Sequence, residues 1–197
     1  FIKGQKSLVP KNIEVPSDPS SAAFPIVASL ITPNSQIKVL NVCINELRTG
    51  LYTSLIEMGA NIEFSNERVI NGEHIADISA SYSILNGIKI PRCRVASMID
   101  EYPILSIAAI KAKGNTVMEG VEELRFKETD RISAMCKGLN SIGVDTIDNR
   151  SSMIIKGKGP DCNLKGNISI KSNLDHRIAM SFLCLGLITE NPIKVEN

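Results

Sequence analysis

Two hydrophobic rhythms alternate along this chain. Ile132, Met135, Cys136, Leu139 and Ile142 fall at the three- and four-residue spacings of one helix face, which predicts an amphipathic helix with Thr129 as its N-cap. Denser apolar runs, Ala22 to Ile31, Ile104 to Ala112 and Ile178 to Leu187, predict apolar helices. Short alternating segments follow, at Ile37-Val39-Leu40-Val42, Thr116-Val117-Met118 and Ile193-Lys194-Val195, and these predict strands.

The order repeats. Aspartates at Asp18, Asp100 and Asp175 each precede an apolar helix, a turn and a strand, at intervals of roughly eighty residues. The turns fall at Pro33-Asn34, Lys113-Gly114-Asn115 and Thr189-Glu190-Asn191-Pro192. The first two units continue alike, with a second amphipathic helix ending at Met58-Gly59-Ala60 or Ile142-Gly143-Val144. Strands are then predicted at Asn61 to Ser65 and near Asp77 to Ala80, and at Asp145 to Asp148 and Met153 to Lys156. Gly59 and Gly143 sit where a helix C-cap wants glycine. Strands alternating with helices argue for an α/β arrangement with parallel pairing. A period near eighty is too long for a solenoid repeat, so duplicated supersecondary units within one domain fit better. Lys156-Gly157-Lys158-Gly159-Pro160 is expected to be a turn inside a unit.

Composition narrows the function. A 43% hydrophobic content fits a globular protein, and a net charge of +1 gives no reason to invoke nucleic acid or an anionic membrane. Cys43, Cys93, Cys136, Cys162 and Cys184 are odd in number and widely spaced, which favours thiols in a reducing cytosol over disulfides or zinc. His74 and His176 are too few and too isolated for a metal site. No apolar run reaches membrane-spanning length, and Phe1-Ile2-Lys3-Gly4 lacks both an initiator Met and a signal-peptide layout, so the chain is expected to be part of something longer.

Charge clusters mark the helix starts. Leu124-Arg125-Phe126-Lys127-Glu128-Thr129-Asp130-Arg131 packs cations around a carboxylate. If the first helical turn includes Lys127, then Lys127, Glu128 and Arg131 share a face and form an anion site. A solvated, salt-bridged first turn is the competing reading. Asp175-His176-Arg177 opens another helix and Ile99-Asp100-Glu101-Tyr102-Pro103 a third. Asp18, Ser20 and Ser21 could bind an anion, though a plain N-cap is the simpler reading. Met58 and Met135 are most simply core residues.

Five strings, VPSDPSSAAF, NELRTGLYTSLIEMGA, MIDEYPIL, ELRFKETDR and DHRIAM, run in the order found in the 5-enolpyruvylshikimate-3-phosphate synthase family, and the resemblance covers essentially the whole chain. Ser17-Asp18-Pro19 departs from the family's usual glycine before the aspartate. The resemblance implies a fold of repeated βαβαββ units with helices inside and sheets outside, the inside-out α/β barrel of the enolpyruvyl transferases. Two complete units and the start of a third are expected. Residues 1–197 would then be a single, incomplete C-terminal domain, with the N-terminal domain and extreme C-terminus absent.

The family's reaction moves the enolpyruvyl group of phosphoenolpyruvate to the 5-hydroxyl of shikimate 3-phosphate and releases phosphate, in the cytoplasm and with no metal or organic cofactor. The resemblance makes Asp100 the group contacting the 5-hydroxyl as proton acceptor, with an N-cap as its alternative role. It places Lys127 on shikimate 3-phosphate, Arg131 and Arg177 on phosphoenolpyruvate, and Glu128 near the methylene carbon as acid. Lys127 and Arg131 would hold Glu128 as a carboxylate in the empty site, so proton donation is expected only once substrate binds. His176 is expected to orient or pack, and Asp175 to cap its helix and hold Arg177. Arg48 belongs to a family string but has no assigned chemistry. The expected partners are the two anionic substrates and the N-terminal domain of the same enzyme. The competing readings are an anion-binding fragment without turnover and a UDP-N-acetylglucosamine enolpyruvyl transferase. The latter lacks a close match to KETDR and resembles aspartate-leucine-arginine where this chain has Asp175-His176-Arg177.

Overall fold

The computed structural model describes residues 3–4 and 7–196; Phe1, Ile2, Gln5, Lys6 and Asn197 lie outside the described residues. In chain order the elements are α1 (Pro19–Ile31), β1 (Gln36–Cys43), α2 (Gly50–Glu57), β2 (Asn61–Ile70), β3 (Glu73–Ser81), β4 (Lys89–Ile90), α3 (Tyr102–Ile110), β5 (Lys113–Glu119), α4 (Arg131–Ser141), β6 (Thr146–Asn149), β7 (Ser152–Lys158), β8 (Ile168–Lys171), α5 (His176–Leu185) and β9 (Ile193–Glu196). Short 3-10 turns at Glu46–Arg48, Arg92–Ser97, Glu122–Phe126 and Gly186–Ile188 join them.

The repeat is βαβαββ. In the second unit β4 lies parallel to β5, β5 antiparallel to β7 and β7 antiparallel to β6. The first unit has the same order, with a parallel bridge from Ser17 to Val42 standing in for its first strand and β1-β3-β2 forming the sheet. The third begins alike, β8 pairing parallel with β9 across α5. The expectation of parallel pairing therefore holds only for the first pair of each unit. The last two strands of a unit are joined by a hairpin, which forces them antiparallel. Asn71 and Gly72, both at positive φ, make the turn between β2 and β3 as an Asn-Gly pair does. Lys113 to Asn115 also differs from expectation, since β5 already begins at Lys113 and only Gly114 takes a turn-like φ. Likewise β7 runs through Lys156, Gly157 and Lys158 and turns only at Gly159.

Helices α1, α3 and α5 pack on one another and the sheets cover them from outside. All nine residues of α3 are buried. A helix apolar on every side has no face to give to water, and burying each Ile or Leu of α3 contributes about 1.5–3 kcal/mol. The strands alternate instead, as in β2, where every second residue of the opening stretch is exposed. Met58 and Met135 lie in this core. Helix α4 approaches α5 so closely that a Cβ on Gly138 would meet Phe182 Cζ at 2.2 Å. Gly59 and Gly143 follow α2 and α4 with φ of 95° and 82°, the C-cap geometry their positions predict.

Candidate active site

The starts of α1, α3 and α5 meet. Asp18 caps α1 by accepting from the Ser21 N–H at 2.9 Å, and Asp175 caps α5 by accepting from the Arg177 and Ile178 N–H groups at 2.9 and 3.3 Å. Helix α3 has no side-chain cap: Glu101 occupies that position without capping, and Asp100 stands one residue further out. The capping alternative for Asp100 is thus excluded. Its carboxylate instead receives three cations, Lys127 Nζ at 3.3 Å, Arg131 Nη1 at 2.9 Å and Arg177 Nη2 at 3.8 Å. Burial works against its charge, but Arg177, Lys127 and Arg131 outweigh it and hold the carboxyl below the usual range.

Two local expectations fail at α4. The N-cap is Asp130, which accepts from the Ser133 N–H at 3.0 Å, rather than Thr129. The helix begins at Arg131, so Lys127 and Glu128 precede it and Lys127 is not in its first turn. Thr129 and Asp130 are both capping residue types, and the one directly before the helix, Asp130, is placed to meet the N–H three residues on. Lys127 and Glu128 still reach the same place through the loop. Arg125, to which the sequence assigned no role, fixes that loop by donating to Asp130 at 2.8 Å and to the Asn149 carbonyl at 2.6 Å.

Arg131 is 1% exposed. Its Nε donates to Asp175 Oδ2 at 2.8 Å, its Nη1 to Asp100 and its Nη2 to Glu128 Oε2 at 2.5 Å. Burial disfavours the guanidinium charge, yet the Asp175 pair more than restores it and the group stays firmly protonated. Asp175 therefore caps its helix as expected but holds the side chain of Arg131, not that of Arg177, which meets only its backbone N–H. The Arg177 guanidinium lies between the Asp100 carbonyl at 3.3 Å and Glu101 Oε1 at 3.4 Å. His176 is exposed at the first position of α5, so it is not a packed histidine.

Asp100, Lys127, Glu128, Arg131 and Arg177 thus form one connected cluster, drawn from the second and third units. It is open on one side, with the Glu128 side chain 48% exposed. Beside it is a cavity of about 200 Å³ lined by Ser20, Arg48, Met98, Asp100 and Glu101. Arg48 reaches Asp18 at 3.1 Å and Ser20 at 3.2 Å there, so Asp18 is both cap and ion-pair partner. A larger hollow of about 490 Å³ lies on the outer face of the first sheet, near Lys38 and Glu63, and none of the cluster's residues line it. The five cysteines are free thiols, and no helix among the described residues is long and apolar enough to cross a membrane.

Comparisons with known proteins bear on this cluster. The family model of EPSP synthase (3-phosphoshikimate 1-carboxyvinyltransferase) matches residues 1–197. A 3-phosphoshikimate 1-carboxyvinyltransferase of Paracoccus denitrificans is 50% identical over 197 residues, which are the whole of this chain and 44% of that protein. One from Dinoroseobacter shibae is 49% identical, with the same coverage. The solved EPSP synthase of Acinetobacter baumannii superposes with a TM-score of 0.92 at 45% identity, covering 97% of this chain and 44% of that one. The enolpyruvyl transferase NikO of Streptomyces tendae superposes at 0.70 with 14% identity, covering 90% of this chain and 38% of its own, and shows the fold alone. The chain spans less than half the length of the curated relatives it matches.

Proposed function

The chain belongs to the EPSP synthase family, and on that premise we propose that the protein of which it forms part transfers the enolpyruvyl group of phosphoenolpyruvate to the 5-hydroxyl of shikimate 3-phosphate, releasing phosphate. Residues 1–197 are then an incomplete C-terminal domain, and an N-terminal domain supplies the opposing wall and the remaining cations. The free thiols accord with a cytoplasmic enzyme.

The observation that carries this reading is the convergence on Asp100 of Lys127, Arg131 and Arg177, with Glu128 on the same guanidinium. The reaction needs a base at the hydroxyl, an acid at the methylene carbon and fixed cations around anionic groups. Asp100 is ionised and faces the open side, so it takes the base's role. Lys127 acts as a point charge for shikimate 3-phosphate. Arg131 and Arg177 offer planar forks that suit a carboxylate or a phosphate.

Without substrate these cations are already paired. The buried Asp175 keeps Arg131 oriented, whereas the half-exposed Glu128 is the partner a ligand anion displaces most cheaply. Phosphoenolpyruvate arriving on Arg131 would therefore release Glu128 beside the methylene carbon, where its carboxylate first takes up a proton from solvent and then passes it to that carbon. Binding and readiness of the acid are coupled through one guanidinium.

Phosphate release from both substrates tests this. The purified full-length protein should turn over, and the 197-residue chain alone should not, because half the cations and the wall that excludes water are elsewhere. Adding the separately produced N-terminal half should restore activity. Robust turnover by the chain alone would refute the shared site; an inert full-length protein would refute the activity.

A further inference from the structure

Glu101 is a carboxylate with no evident folding duty in a place where burial penalises it. It is 6% exposed, it stands at the start of α3, and it makes no cap to that helix. Burial pushes its carboxyl up, against the opposing pull of a hydrogen bond from Ser20 and of Arg177. Ser20 is in turn held by Arg48, at 3.2 Å. The charged and titratable groups facing Glu101 are thus Arg177 from α5, Arg48 from the turn before α2, the adjacent Asp100 and the Tyr52 hydroxyl of α2. Simple space-filling here would be met by a neutral side chain.

What Glu101 does touch is Arg177. The two arginines of the cluster are held differently. Arg131 has contacts of 2.5 to 2.9 Å to three carboxylates and is clamped, whereas the Arg177 acceptors are at 3.3, 3.4 and 3.8 Å. Such contacts set a resting position without locking it. We propose that Glu101 is a positioning residue for Arg177: through its carboxylate, backed by Ser20 and Arg48, it keeps that guanidinium turned to the open side beside Asp100, ready for the anionic substrate. This rests on the reading that Arg177 receives phosphoenolpyruvate.

The test uses the full-length transferase and the variants E101Q, E101A, R177A and E101A/R177A, with kcat, the KM of each substrate and Tm measured for all. E101A should raise KM for phosphoenolpyruvate roughly tenfold, the scale of one charged hydrogen bond, while kcat and KM for shikimate 3-phosphate move less than about twofold. E101Q, which keeps shape and an acceptor oxygen, should recover part of that loss and serves alone if E101A does not fold. The double variant should be no worse than R177A, because Glu101 acts only through Arg177. A wild-type KM for phosphoenolpyruvate in E101Q or E101A, or effects that add to those of R177A, would overturn the proposal. A lowered Tm without a change in that KM would do the same. If R177A itself leaves that KM unchanged, the assignment of Arg177 falls, a different outcome from Glu101 failing to support it.

Discussion

Arg131 and Asp175, 44 residues apart in the chain, form an ion pair in which the Nε to Oδ2 distance is 2.8 Å and the side chains are 1% and 0% exposed. The pair joins the first residue of α4 to the cap of α5, so it fastens the second repeated unit to the third.

Removing one partner of such a pair is far costlier than its net worth, because the other charge stays behind in the interior. Replacing Asp175 by Asn keeps an oxygen for the cap but removes the one fully buried carboxylate of the three that hold Arg131, leaving Asp100 and Glu128, and we expect a loss of about 1.5–3 kcal/mol in the stability of the domain. Replacing it by Ala should add about 1 kcal/mol for the lost cap. Urea denaturation at unchanged m-value measures both, and an Asp175→Asn loss under about 1 kcal/mol would show that Asp100 and Glu128 suffice to neutralise Arg131.

Asp100 gives stability a pH signature. Its carboxyl is held below its ordinary range by Arg177, Lys127 and Arg131 against the penalty of burial. A carboxyl lowered by folding stabilises above its unfolded pKa and loses that contribution as pH falls through its folded one. The stability difference between wild type and Asp100→Asn should therefore be constant above about pH 5 and shrink steadily below pH 4. Asp18 is lowered too, but it is present in both proteins and cancels. A difference independent of pH down to about 2 would contradict the ion-pair account.

How much of this was legible in the residues depended on range. Helix faces, the aspartate spacing and the C-cap glycines are local patterns, and they located α1, α3, α4 and α5 to within a few residues. The two-residue strand β4 is too short to leave a rhythm, and antiparallel pairing depends on hairpins that periodicity does not register. At the site, the strings placed Asp100, Lys127, Glu128, Arg131 and Arg177 near helix starts, and the structure brings all five together. Nothing in the sequence marks Arg131 as interior, since arginine is ordinarily a surface residue and the partner that buries it comes from another unit. Thr129 and Asp130 are both good caps, and only geometry chooses between them. Glu101 had a signal in its acidic pair with Asp100, but no pattern separates a buried carboxylate from an exposed one.

Gly138 supplies a test of packing that is independent of charge. Alanine inside a helix is normally better than glycine by about 1 kcal/mol, yet here the added Cβ would collide with the fully buried ring of Phe182. Overpacking wins, and Gly138→Ala should destabilise by about 1–3 kcal/mol. Gly138→Ala combined with Phe182→Leu should cost less than the two changes summed, which thermal unfolding of the four proteins can establish.

Helix α3 begins with Tyr102 and Pro103 much as α1 begins with Pro19, yet α1 keeps the cap of Asp18 and α3 has no side-chain cap. What sets the α3 entrance apart is its surroundings: Asp100 stands one residue outside the cap position, and its carboxylate is claimed by Lys127, Arg131 and Arg177. That limits grafting: moving this cation-bound aspartate to the entrance of α1 or α5 would draw Asp18 or Asp175 away from backbone N–H groups that the helix there leaves to no other side chain.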